Sequence, residues 1–226
     1  MENDKLIYIK PGEIEARSFE MIEEELTRLG KSLPSDGADG VKDNGCRIKR
    51  APVIKRVIHT TADFDYADNL LFSDDALTKA EKLLESGCVI VTDTNMAYAG
   101  INKKALNKLG AECICYMADE DVAREASVRG VTRATVSMER TMELDRPVIY
   151  AVGNAPTALI SIYENRLKLC PGLVIGVPVG FVNVVAAKEL IISSDIPYIV
   201  ARGRKGGSNV AAAIVNALMY QVISAD

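Results

Sequence analysis

The chain has no tryptophan, one histidine and only 5% aromatic residues in 226 positions, so it offers no aromatic platform for carbohydrate. It also lacks C-x-x-C pairs. Cys46, Cys88, Cys113, Cys115 and Cys170 are odd in number and have a single histidine to help them, so reduced, small buried hydrophobes are expected and no metal site. Positive charge is not in excess: 27 Lys+Arg against 31 Asp+Glu leaves a net charge of -4, the wrong balance for holding nucleic acid. Any anionic partner must be met by a local basic cluster. Long apolar runs are missing too. The longest, Leu173 to Val182, is broken by Gly176, Pro178 and Gly180 and falls short of the roughly 18 residues of a membrane span. Met1 to Lys5 read M-E-N-D-K with no apolar stretch following, so no secretory signal is expected and a cytoplasmic setting is.

What is present is ordinary for a folded enzyme-sized chain: 48% hydrophobic, 26% charged, 16 Gly and 8 Pro. One domain spanning 1–226 can bury roughly 70% of its unfolded surface without disulfide or metal. Ile14, Phe19, Ile22, Leu26 and Leu29 recur at helical spacing among acids, predicting an amphipathic helix over 11–29. Residues 31–50 turn to Gly, Ser, Asp and Lys, with Asp36-Gly37, Asp39-Gly40 and Asn44-Gly45 as turn signals, and read as a flexible surface loop.

Beyond it, short apolar runs at 88–91, 112–116, 147–152, 173–177 and 198–201 read as fully buried strands. Helices fit between them. Ser73 is expected to cap one ending at Gly87, Asn102 one ending at Gly110 and Asp119 one ending at Gly130, with more over 133–144, 155–168, 182–193 and 207–223. The fold class is therefore α/β: a three-layer, doubly wound sheet of about five parallel strands. Met96 and Met138 are expected in the core.

Open parallel sheets bind ligands beyond the carboxyl ends of their strands, where helix N-termini point outward. Three of these ends are rich in Gly, Pro and small polar residues, among them Gly153 to Thr157 and Pro178 to Phe181. The third, Arg202 to Ser208, packs Arg202, Arg204 and Lys205 among Gly203, Gly206 and Gly207 ahead of an Ala-rich helix, so cations and backbone N–H groups can converge on anionic oxygens. It matches neither G-x-x-x-x-G-K-[ST] nor G-x-G-x-x-G, and several carboxylates would suit it as well as a phosphate. His59 is the one side chain whose ordinary pKa lies near neutrality, a candidate for proton transfer or a hydrogen-bonded structural histidine. Arg17 and Ser18 on the first helix and Thr132-Arg133 at the start of another are polar groups beside apolar periodic positions.

Read together, six ordered blocks resemble the precorrin-8X methylmutase family, most closely its cobalt-precorrin-8 branch. They are I-H-T-T-A-D-F-D-Y-A-D-N at 58–69, D-T-N-M-A at 93–97, G-V-T-R at 130–133, G-N-A-P-T-A-L at 153–159, G-V-P-V-G-F-V at 176–182, and G-R-K-G-G-S-N-V-A-A-A-I-V-N-A-L at 203–218. One block departs: where the family commonly has G-A-A-E-S-K-E, this chain has Asn183-Val184-Val185-Ala186-Ala187-Lys188-Glu189. The resemblance implies a flavodoxin-like homodimer with its site near the subunit interface, serving a cobalamin pathway and able to hand its product to neighbouring enzymes. The reaction implied is an isomerisation that moves a methyl group from C-11 to C-12 of a contracted tetrapyrrole. His59 takes the catalytic place, and Ser18, Arg56 and Arg133 take substrate-contacting places. With them, Arg17, Thr94, Thr132, Asn154, Thr157, Gly180, Arg202, Arg204, Lys205, Gly206 and Ser208 are expected to line the substrate. No cofactor is expected; cobalt, where present, belongs to the substrate. The competing expectations are a nucleotide or phosphoester enzyme using 203–208, and a corrinoid carrier that binds without turnover.

Overall fold

A computed structural model describes residues 8–34 and 46–224. A 3-10 turn, Pro11–Glu13, leads into α1 (Ile14–Arg28), followed by α2 (Arg50–Thr61), α3 (Tyr66–Asn69) and β1 (Leu70–Phe72). Next come α4 (Ala76–Glu85), β2 (Val89–Thr92), α5 (Asn95–Gly100), α6 (Lys103–Lys108), β3 (Glu112–Ile114), α7 (Glu120–Arg129) and α8 (Arg133–Glu139). The chain continues through β4 (Val148–Val152), α9 (Pro156–Glu164), α10 (Arg166–Leu169), β5 (Leu173–Gly176), α11 (Val184–Ile192), β6 (Tyr198–Ala201) and α12 (Ser208–Ser224).

The sheet runs β1-β6-β5-β4-β2-β3. Its five expected strands pair in parallel, and numbered among themselves they stand 2-1-3-4-5, the flavodoxin-like order. The expectation of five is corrected by a sixth. β1 adds to β6 in antiparallel register, Leu70 opposite Ala201, and its three residues are too few to show a period in sequence. Strand side chains alternate between two cores. Ile90, Ile149, Ile175 and Ile199 face α12, α2 and α4, whereas Val91, Tyr150, Val174 and Val200 face α8, α9 and α11.

α12 is apolar on nearly every side because α2, α4, α5 and α6 enclose it against the sheet. α2 itself escaped the sequence reading. It is rich in β-branched residues, which weaken helix propensity, and Pro52 sits in its first turn, where a missing N–H costs nothing. Val53, Ile54, Val57 and Ile58 nevertheless bury one complete stripe. α2 and α12 run antiparallel: the Lys49 N–H donates to Gln221 Oε1 at 2.8 Å at one end, and Asp63 meets Lys205 at the other.

Several local expectations are corrected. Ser73 is not a cap. Its hydroxyl accepts the Tyr198 N–H at 3.0 Å and so pins β1 to β6. The helix expected over 155–168 breaks at Asn165, and that over 133–144 tightens into a 3-10 turn, Arg140–Glu143. Met138 is buried as expected, whereas Met96 is exposed beyond β2. Of the loop expected over 31–50, residues 35–45 lie outside the described residues. Its flanks are anchored: Ile48 is in the core, Arg47 pairs with Glu81 at 2.6 Å, and Arg50 opens α2. Among the described residues no helix is long and apolar enough to cross a membrane.

Candidate active site at the carboxyl ends of the strands

The strand order reverses between β2 and β4, and there one buried carboxylate ties the two carboxyl ends together. Asp93 Oδ1 accepts the Gly153 N–H at 2.8 Å, and Oδ2 accepts those of Asn154 and Ala155 at 2.8 and 2.6 Å. Burial pushes this carboxyl above its ordinary range while the three amides pull it down. The sequence reading passed over Asp93, although an acid directly after a four-residue buried strand was its visible signal. Beside it the Thr94 hydroxyl accepts the Ala97 N–H at 3.0 Å, capping α5, and meets the Ser208 hydroxyl at 2.8 Å. Asn154 projects from the same edge, exposed.

The loop between β6 and α12 depends on glycine. A Cβ at Gly206 would fall 2.0 Å from the Val177 carbonyl oxygen, and φ is +156°. Gly180 donates its N–H to the Arg204 carbonyl at 3.2 Å, so the β5–α11 and β6–α12 loops form one rim. The three cations expected there are not equally free. Arg202 is held by Glu189 in a bidentate pair at 2.9 and 3.2 Å. Lys205 reaches Asp63 and Asp65, both at 2.7 Å, which raises its pKa. Arg204 is exposed, its guanidinium 5.5 Å from the ring of Phe181, and Val179, Phe181 and Val182 stand out from this rim into solvent.

The Lys205 pairs bring the end of α2 to that rim, and His59 lies in the last turn of α2, ahead of Asp63. His59 is exposed and forms no hydrogen bond among the described residues, so the structural-histidine reading is not what the fold uses. Its ring stands edge-on to Phe19 of α1, centroids 5.6 Å apart. Arg56, one turn back, lies 5.4 Å from Phe19 and 4.9 Å from Tyr220 and pairs with Glu15 at 2.8 Å. Phe19, which sequence reasoning left as a core residue, is thus the support of both. Next to it in the chain, Ser18 donates to the Ile14 carbonyl at 2.8 Å, and Arg17 turns to Glu20 and Glu24 on its own helix.

Thr132 caps α8 and donates its hydroxyl to that of Thr157 at 2.9 Å, joining the starts of α8 and α9. Arg133 is exposed there with no ion-pair partner among the described residues. Apart from Arg17, which turns to its own helix, the expected residues form three clusters: Thr94, Asn154 and Ser208 at the switch point; Gly180, Arg202, Arg204, Lys205 and Gly206 on the rim, linked to the end of α2, which carries His59 and Arg56 beside Ser18 of α1, through Asp63 and Asp65; and Thr132, Arg133 and Thr157. Among the described residues no three His, Cys, Asp or Glu side chains gather to hold a metal ion.

Known proteins identify the class to which this arrangement belongs. The sequence profile of the precorrin-8X methylmutase family matches residues 13–221. Cobalt-precorrin-8 methylmutase of Salmonella typhimurium is 48% identical over 171 residues, covering 75% of this chain and 80% of that protein. The protein of the same name from Priestia megaterium is 39% identical over 218 residues, covering 95% of this chain and 89% of its own. Among solved structures, precorrin-8x methyl mutase from Thermus thermophilus superposes with a TM-score of 0.80 at 32% identity, covering 94% of this chain and 98% of the other. The chain belongs to the precorrin-8X methylmutase family and is an isomerase.

Proposed function

We propose that the protein moves the methyl group at C-11 of precorrin-8, or of its cobalt complex, to C-12, giving hydrogenobyrinate or cobyrinate in cobalamin biosynthesis. The observation that carries this reading is the placement of His59, solvent-facing and held edge-on by Phe19 near the end of α2, the end from which Asp63 bridges to Lys205 of the strand-end rim.

A corrinoid is a flat apolar disc with a carboxylate rim. Arg204, Arg133 and the backbone amides of the loops meet the carboxylates, and Val179, Phe181 and Val182 offer apolar surface to the disc. The methyl shift is intramolecular and forms no bond to protein. What the chain supplies is a fixed bent shape for the ring and one proton placed or withdrawn by His59. In a metallated ring the four nitrogens already hold cobalt, so there His59 acts through its charge and position. No cofactor of the protein enters this scheme. The family resemblance further supports a cytoplasmic homodimer whose interface lies near the site and which passes its product to a neighbouring enzyme; light scattering after gel filtration reads the dimer.

Turnover, followed by the change in the substrate's absorption spectrum, tests the assignment. His59→Asn is expected to lower kcat by about 10²–10⁴ with KM changed only a few-fold. Equal kcat in the two proteins would remove His59 from the reaction, and no turnover by wild type would favour a carrier.

A further inference from the structure

Lys188 is fully buried in the middle of α11, at the position where Val184, Ala187 and Ile191 turn the same stripe into the core. Among the described residues its ammonium touches no carboxylate. It donates instead to two carbonyl oxygens of the rim loop, those of Gly203 and Lys205, each at 2.8 Å. No charged group among the described residues compensates it. Glu189, next in the chain, is taken by Arg202; Arg204 is exposed; Lys205 faces Asp63 and Asp65. Tyr198 on β6, and Tyr163 and Glu164 in the last turn of α9, are the titratable groups of the packed elements, and β5 has none. Burial alone lowers the Lys188 pKa to about 8.

A buried cation without an acid is costly and calls for a reason. Every peptide bond here is trans, so the N–H of Arg204 points opposite to the Gly203 carbonyl, and that of Gly206 opposite to the Lys205 carbonyl. Both therefore point away from the ammonium, and neither finds an acceptor among the described residues. Two amides without an acceptor, on the side of the loop away from a buried cation, are donors that an anion can take up. The exposed Arg204 side chain stands beside them.

We propose that Lys188 is a positioning residue: its ammonium fixes the Gly203–Gly206 backbone so that the Arg204 and Gly206 amides, with the Arg204 side chain, receive one carboxylate of the substrate. This rests on the corrinoid site proposed above, and Lys188 itself does not touch the substrate. Because the carboxylate is bound alike before and after the methyl shift, its loss belongs in KM and not in kcat.

Cobyrinic acid binding and substrate turnover are measured for wild type, Lys188→Met and Arg204→Ala. Lys188→Met is expected to raise KM and the cobyrinic acid Kd about tenfold at pH 7, with kcat within about threefold. Wild-type Kd is expected to rise about tenfold between pH 7 and pH 9 as the ammonium loses its proton, and the methionine variant to stay level. An unchanged KM in Lys188→Met, or a loss confined to kcat, would overturn the proposal. Should that variant not fold, a level wild-type Kd across the same range overturns it equally. If Arg204→Ala weakens binding while Lys188→Met does not, the corrinoid site stands and only the role of Lys188 falls. If wild type binds no cobyrinic acid at any pH, the proposed function fails and this inference with it.

Discussion

The hydroxyls of Thr94 and Ser208 share a hydrogen bond of 2.8 Å that joins the cap of α5 to the first residue of α12. That contact needs the two backbones close together, and Gly153 permits it. A Cβ at 153 would stand 2.6 Å from Ser208 Cα and 2.8 Å from the Gly207 carbonyl oxygen, backbone atoms that have no freedom to move. Gly153→Ala is expected to destabilise the protein by about 3 kcal/mol and to lower Tm by roughly 10 °C. A thermal melt within a degree or two of wild type would show that the strand end is softer than this packing implies.

Asp93 is the other fastening at this point. Replacing its carboxylate by an amide turns an oxygen that accepts two N–H groups, or the one that accepts the third, into an NH₂ donor facing a donor. Asp93→Asn is expected to cost about 3 kcal/mol, the penalty of a buried N–H left unpaired plus the lost charge assistance. Denaturant titration measures it; a change in midpoint too small to resolve would mean that the 153–155 turn holds itself.

Phe19 is expected to matter for rate as well as for stability. Phe19→Leu keeps most of the apolar volume but removes the ring edge that the imidazole meets and the face that Arg56 covers. Such ring contacts are worth about 1 kcal/mol each, so kcat should fall up to about tenfold and Tm by roughly 3–7 °C. Steady-state kinetics with wild-type kcat would show that His59 needs no support from α1.

The parallel strands were legible because each is a short, mainly apolar run closed by turn residues, although Glu112 of β3 is exposed and that strand is not fully buried as expected; the helix ends were legible because Asn102 and Gly130 cap where their chemistry dictates. Their flavodoxin-like order came from family resemblance, since spacing alone does not fix it. β1 and α2 were not legible. One is shorter than any period, and the other is held together by burial against α12 in spite of its propensities. Within the site, His59 and the 202–208 loop announced themselves by residue type. Lys188 did not, because a lysine reads as surface unless its place in an apolar stripe is weighed. Phe19 and Asp63 were hidden for a related reason: each acts on a partner distant in sequence.

The pH dependence of stability separates Lys188 from every other group. Its pKa is about 8 in the fold against 10.5 for an ordinary lysine, so between these values the unfolded chain binds the extra proton and stability rises with pH. The buried thiols act oppositely. Burial pushes Cys88 and Cys113 from 9.0 up to about 12 and raises Cys46, so above pH 9 the unfolded thiols ionise first and stability is lost. Tyr66 and Tyr150, pushed to about 12, add to that loss above pH 10. From about pH 8 to pH 9 the lysine is expected to add about 1 kcal/mol, and the three thiols, half ionised in the unfolded chain by pH 9, take nearly as much away. Denaturant midpoints across that interval should therefore stay nearly level in wild type and fall in Lys188→Met. Over the same interval the proposed carboxylate site weakens. A fold that keeps its stability while its ligand affinity drops cannot be losing affinity by unfolding, so a stability gap between the two proteins that widens as the wild-type affinity falls would trace both effects to one proton, and a constant gap would separate Lys188 from the ligand.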